Sequence, residues 1–240
     1  MSFPERIVPD QTTTGIVALH LKRYEFARPW CEGKEVLDVA CGVGYGSAFL
    51  AQVAARVVGG DIDAEAIEYA QTRYATDNVE YVVVDATALP FDDATFDVVC
   101  AFETIEHVAD RDAYLREVVR VLRADGTYLL STPRVDVTDE RPANPFHYVE
   151  YSRPDFEALL GRFFGRVELY GQRRLETRRH AVARKLDVLG LRRRFAFVRR
   201  AAVLTGTHPT TDVTLDDVAI DRANLEHASE LFAVCRAPRA

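Results

Sequence analysis

Five short, nearly continuous apolar runs, separated by amphipathic segments, constrain this chain most. The runs are EVLDVA (35–40), RVVGGD (56–61), VEYVVVD (79–85), FDVVCAF (96–102) and GTYLLST (126–132). Runs this apolar suit strands covered on both faces. Helical patterns lie between them. GSAFLAQVAA follows the first, and DAEAIEYAQTRYA follows the second with Asp63 placed to cap it. In RDAYLREVVRVLRADG, Leu115, Val118, Val119 and Leu122 share a face, and Gly126 stands where the helix should stop. Strands and helices alternating in this way require right-handed crossovers and a mainly parallel sheet. The expected fold is therefore α/β, a Rossmann-like doubly wound sheet with helices on both faces.

Further along, EYSRPDFEALLGRF opens with a capping box from Ser152 to Asp155. RVELYGQ (166–172) reads as a strand, and ELFAVCR (230–236) as a last, partly exposed one. The 240 residues suit one domain. Its expected parts are an N-terminal helical cover (1–30), a ligand-binding core (31–172), a basic insertion (173–224) and the last strand (225–240). The net charge of −7 argues against nucleic-acid binding over the whole surface. Four cysteines, at 31, 41, 100 and 235, form no C-x-x-C pair and read as reduced thiols of a cytosolic protein. MSFPERIVPD has no apolar signal core, and no run approaches the ~18 apolar residues of a membrane span. A soluble, cytoplasmic protein is expected.

The stretch VLDVACGVGYG, Val36 to Gly46, poses the functional question. Its glycines at 42, 44 and 46 form G-x-G-x-G. A dinucleotide fingerprint needs G-x-G-x-x-G, but position 47 is Ser, and no G-K-[ST] follows as a Walker loop requires. The loop lets a ligand approach the backbone yet matches neither phosphate cradle. Asp38 lies near the carboxyl end of the first strand, where open α/β sheets bind ligands. Asp61 ends the second strand, where an acid can take a ribose diol, and Asp85 ends the third. Acids here suit a cationic ligand. The alternatives are a loop brace for Asp38, a helix cap for Asp61 and a turn residue for Asp85.

Together with VVGGDID, VVVDATALPFDDATFDVVCAFETIEHV and REVVRVLRADGTYLLSTP, this stretch resembles the class I S-adenosylmethionine-dependent methyltransferases. The resemblance covers roughly residues 17–172 and the last strand. It implies a seven-stranded sheet whose last strand, ELFAVCR, runs antiparallel. It also implies S-adenosyl-L-methionine as cofactor. Asp38 and the backbone of Ala40, Gly42 and Gly44 would surround the methionine part. Asp61 would take the ribose hydroxyls, with Ile62 packed on the adenine. Asp85 would receive the adenine amino group, and Ala86 would offer its N–H to the ring. Phe102 and Glu103 would stand beside the methyl-bearing end. In HLKRYEFA (20–27), which resembles a segment of one subgroup, His20, Arg23 and Tyr24 would reach the cofactor carboxylate or close over it.

Methyl transfer depends mainly on alignment and exclusion of water, and a hydroxyl acceptor also needs a base. The candidates are Glu106 and His107 in FETIEHV, and His147 in NPFHYVEY. The last segment is similar to an N-P-F-H-x-x-E-[FY] stretch of sugar- and glycan-modifying members. Asp136, Asp139, Glu140 and His147 are scattered through one loop without metal-ligand spacing, so no metal is expected.

Residues 173–200 hold ten arginines and one lysine against Glu176 and Asp187. That stretch is about +9, which leaves the rest of the chain about −16. Such a segment suits anionic headgroups at the inner face of a membrane or a phosphate-bearing substrate. It can equally pack on the acidic body or on the mate of a homodimer. Nucleic acid is disfavoured, because the aromatics form no stacking array. The expected activity is O-methylation of a sugar or saccharide acceptor, phosphorylated or lipid-linked. The alternatives are N- or C-methylation of a natural product or lipid, and a non-catalytic cofactor-binding domain.

Overall fold

The computed structural model describes residues 7–10, 12–175, 213–223 and 225–239. Residues 176–200 of the basic stretch lie outside the described residues. In chain order the elements are α1 (Thr14–Cys31), β1 (Glu35–Val39), α2 (Tyr45–Leu50), β2 (Arg56–Asp61), α3 (Ala64–Tyr74), β3 (Val79–Val83) and β4 (Phe96–Phe102). They continue with α4 (Arg111–Val121), β5 (Leu122–Val135), β6 (Tyr151–Ser152), α5 (Arg153–Phe163), β7 (Phe164–Arg174), β8 (Val218–Asp221) and β9 (Glu230–Pro238).

The strands form one sheet in the order β3-β2-β1-β4-β5-β9-β7-β8, with β6 paired to β5. β1 to β5 pair in parallel, and β9 runs antiparallel to both β5 and β7. All seven expected strands are present, and the mainly parallel α/β arrangement holds. Two strands were not foreseen. β6 is two residues long, and β8 is a four-residue edge strand antiparallel to β7. Residues 173–174 and 218–221 of the expected insertion therefore belong to the sheet.

Alternation along the strands divides the core in two. Val36, Val98, Cys100 and Leu129 pack with Ala27, Leu50, Ile67 and Ala70 of α1, α2 and α3. Leu37, Val99, Tyr128 and Leu130 pack with Leu115, Val118, Phe156 and Leu160 of α4 and α5. Asp63 caps α3 by accepting from the N–H groups of Glu65 and Ala66, and Ser152 caps α5 by accepting from that of Asp155. Gly126 does not end α4. The helix stops at Val121, and Gly126 lies inside β5, where a Cβ would come within 2.8 Å of the Arg123 carbonyl. All four cysteines are buried and unpaired. Among the described residues no helix is long and apolar enough to cross a membrane.

The order also fixes the site. From β1 the chain winds outward to β2 and β3, then returns to β4 on the other side of β1. Crossovers leave β1 in opposite directions and open a crevice at the carboxyl ends of β1 and β4.

Candidate active site

At that crevice lies a cavity of about 670 Å³, walled by the ends of β1, β2 and β4, the loop after β3, and α1. Its wall carries Asp61, Asp85, Glu103 and Asp110 and no lysine or arginine. A cavity lined in this way disfavours phosphate and suits a ligand bearing positive charge.

The glycine loop begins where β1 breaks into the left-handed region, at Ala40 (φ 57°), Gly42 (φ 57°) and Gly44 (φ 86°). Asp61 holds the loop in place. Its Oδ2 accepts from the Gly42 N–H at 2.9 Å and its Oδ1 from the Asp63 N–H at 3.0 Å. Each carboxylate oxygen keeps further lone-pair capacity toward a ligand hydroxyl. The other two glycines answer to protein rather than ligand. A Cβ at Gly44 would lie 2.6 Å from the Tyr81 ring, and one at Gly46 would lie 1.9 Å from the Tyr24 ring. The Tyr81 hydroxyl donates to the Gly44 carbonyl at 2.8 Å. Gly42 and Ala40 reach the wall, whereas Gly44 sits behind it.

Asp38 is fully buried and braces the loop from beneath rather than lining the cavity. Ser47 donates to its Oδ2 at 2.7 Å, and its Oδ1 has no hydrogen-bond partner. Burial pushes its carboxyl up to about 7.

At the far side, Ile62 lies 69% exposed on the wall, a flat apolar surface for a ring. Asp85 and Ala86 stand opposite on the β3 loop. Asp85 forms a turn: its Oδ1 accepts from the Thr87 hydroxyl at 2.7 Å and the Thr87 N–H at 2.8 Å. These bonds hold its carboxyl below the ordinary range.

The mouth is built from β4 and the loop after β5. Phe102 lines the cavity, and Glu103 follows in the left-handed region (φ 53°). Strained non-glycine residues at the ends of both β1 and β4 mark a place where the surroundings over-determine the backbone. Ser131 donates to Glu103 Oε1 at 2.7 Å, and Arg23 lies 3.5 Å from Glu103 Oε2. Arg23 is 2% exposed and absent from the wall. It ties α1 to Gln172 (3.0 Å) and meets His20 of the same helix (3.2 Å), so it positions Glu103 rather than reaching into the cavity. His20 and Tyr24 do line the cavity.

Glu106 is fully buried behind the mouth. Its Oε2 accepts from Thr132 at 3.0 Å, and its Oε1 has no partner. Burial, followed by the charge of Glu103, holds its carboxyl well above the ordinary range. His107 lines the cavity, with Nδ1 3.0 Å from the Phe146 carbonyl. A carbonyl only accepts, so Nδ1 carries the proton. His147 stands edge-on to His107, with centroids 4.7 Å apart, and lies off the wall. Its Nδ1 is 2.8 Å from Glu150, and its Nε2 is 3.0 Å from the Asn144 amide nitrogen. Glu150 and Asn144 as positioning groups escaped the sequence reading. They flank His147 in NPFHYVE, and only the folded loop shows that they grip it. Glu106, His107 and His147 each place a ligand atom within 4.8 Å of the others.

Ala40, Gly42, Asp61, Ile62, Asp85, Ala86, Phe102 and His107 thus share one wall, while Asp38, Gly44, Arg23, Glu106 and His147 support it from behind.

Residues 37–130 match a family model described as a methyltransferase domain. A probable S-adenosylmethionine-dependent methyltransferase of Mycobacterium tuberculosis is 36% identical over 160 residues, covering 65% of this chain and 58% of that protein. A fatty-acid O-methyltransferase of Mycolicibacterium smegmatis is 34% identical over 137 residues, covering 54% of this chain and 50% of that protein. The chain therefore spans little more than half the length of these relatives. A chain from the complex between the Haloferax volcanii Trm112 methyltransferase activator and a methyltransferase superposes with a TM-score of 0.62 at 21% identity, covering 92% of this chain and 90% of that one. With the sheet order, the glycine loop and the acids at the strand ends, these similarities support a class I S-adenosylmethionine-dependent methyltransferase, with the methyltransferase domain matched over residues 37–130.

Proposed function

We propose that this protein transfers a methyl group from S-adenosyl-L-methionine to a hydroxyl oxygen of a saccharide acceptor. The observation that carries the cofactor assignment is the wall at the topological switch point, which holds four acids and no lysine or arginine to greet a phosphate. When bound, the cofactor supplies a sulfonium-activated methyl group. Asp61 and Asp85 would hold its nucleoside end, with Ile62 against the adenine, and the backbone at Ala40 and Gly42 would face its amino-acid end. Asp38 sets that backbone from beneath.

The acceptor enters at the opposite rim. Phe146 and Tyr148 line the mouth and are 52% and 56% exposed, which suits stacking on a sugar ring. His107 takes the hydroxyl proton through Nε2, because Phe146 fixes the proton on Nδ1. His147, held between Glu150 and Asn144, keeps His107 in place. The same exposed aromatics suit an acyl chain, and the fatty-acid O-methyltransferase relative favours that second reading. Methyl-release assays on methyl-accepting saccharides and on free fatty acids decide between them. Turnover of saccharides supports the first reading. Turnover of fatty acids alone replaces it, and neither class turning over with the cofactor bound favours a binding domain.

A further inference from the structure

We propose that Glu106, His107 and His147 form a binding site for one first-row divalent cation at the acceptor rim. One ligand atom from each lies within 4.8 Å of the other two, a separation that a single ion can bridge with small side-chain shifts. Three features of the surroundings point the same way.

The first is Glu106. It is a fully buried side chain whose Oε1 has no hydrogen-bond partner. A buried polar atom left without a partner is costly, and a coordinated cation removes that cost. The second is the proton placement on the two imidazoles. Nδ1 of His107 donates to the Phe146 carbonyl, and Nδ1 of His147 donates to Glu150. Metal-bound histidines characteristically donate their other ring N–H to a carboxylate or a backbone carbonyl. Here Nδ1 of each ring meets such an acceptor. The third is a group that can yield. Asn144 turns its amide nitrogen to Nε2 of His147, because its own Oδ1 accepts from the Phe146 N–H at 3.0 Å. A cation takes the place of that neutral donor at Nε2.

Two imidazoles and a carboxylate suit Mn²⁺, Co²⁺ or Zn²⁺ better than the all-oxygen preference of Mg²⁺ or Ca²⁺. Glu103, the neighbouring carboxylate on the wall, adds negative charge beside the site. Sequence spacing concealed the cluster, because Glu106 and His107 follow β4 while His147 comes from the loop after β5.

The consequence for catalysis rests on the reading given above. A cation at this rim would bind the acceptor hydroxyl and lower its pKa, so that its proton passes to solvent more readily. With the ion bound, Nε2 of His107 serves as its ligand, and the base role given above belongs to the metal-free chain.

The test uses manganese chloride with the full chain after chelator treatment, in the absence of nucleoside and acceptor. Free Mn²⁺ is followed by electron paramagnetic resonance, and zinc chloride is added in competition. The expected result is one ion per chain, displaced by Zn²⁺. His147→Ala and His107→Ala should each weaken binding at least ~10-fold, as should Glu106→Gln if it folds. Circular dichroism melting confirms that each histidine variant is folded. Absence of stoichiometric binding, or binding that the folded histidine variants leave unchanged, overturns the proposal. A chain that binds S-adenosylmethionine but no ion refutes the metal site alone. A chain that binds the ion but not the nucleoside refutes the methyltransferase reading alone.

Discussion

Asp61→Ala separates the two tasks given to this side chain. In the folded protein its carboxylate accepts from Gly42 N–H (2.9 Å) and Asp63 N–H (3.0 Å) while only 5% exposed. Hydrogen bonds to an ionised group contribute about 1.5–3 kcal/mol each. Gly42 borders the cavity, so water can replace part of the loss, and the lower half of that range applies. The expected cost is about 3–4.5 kcal/mol of stability, read as a lowered urea midpoint at unchanged slope. Nucleoside affinity should fall separately, by about 1–3 kcal/mol or roughly 5- to 150-fold in Kd. Asp61→Asn keeps one acceptor oxygen but turns an amide N–H₂ toward a backbone donor, so its losses should lie between those of wild type and alanine. Calorimetry with S-adenosylmethionine and urea denaturation of the three proteins give both numbers. An alanine variant with wild-type affinity and wild-type stability would refute the placement of Asp61 as both brace and ligand.

Three further outcomes are expected. Gly46→Ala should destabilise the fold by about 1–3 kcal/mol or more, because its Cβ would lie 1.9 Å from a Tyr24 ring already held edge-on by Phe102; an unchanged denaturation midpoint would show that the tyrosine yields freely. Asp38 titrates at about 7 in the folded chain and near ~4 when unfolded. Across that window the unfolded chain has released a proton that the folded chain keeps, so stability falls as pH rises and the slope vanishes below it. Asp38→Asn should remove that contribution, roughly 4 kcal/mol at full extent; a difference between wild type and variant that stays constant from pH 4 to 8 would reject a neutral buried carboxyl. His147→Ala should lower turnover by roughly 100-fold while leaving nucleoside affinity intact, and equal rates would make it a structural residue only.

Strand and helix alternation was legible because β1, β2, β4 and the middle of β5 are buried on both faces and nearly continuous in apolar residues. β8 was not. Its four residues, VAID, carry no period of their own and become a strand only by pairing with β7. The acids at the strand ends were legible from their place at the carboxyl ends of successive strands, and Asp61 and Asp85 line the cavity. Their division of labour was not, because it depends on depth. Asp38 lies one layer below the loop that Asp61 clasps, and Arg23 turns away from the cavity to meet Gln172. The glycines at 44 and 46 invite a ligand explanation in the sequence, yet the groups that occupy their missing side-chain space are Tyr81 and Tyr24, one distant in sequence and one on the preceding helix. The histidine pair was visible only as two separate motifs, and their edge-on contact is made by the loop after β5.

Calorimetric titration of the purified chain with S-adenosyl-L-methionine, run beside NAD, tests the central assignment most directly. One equivalent of the sulfonium nucleoside should bind, and the dinucleotide should not. Heat from NAD with none from S-adenosyl-L-methionine would contradict the acid-lined cavity as a seat for a cationic nucleoside.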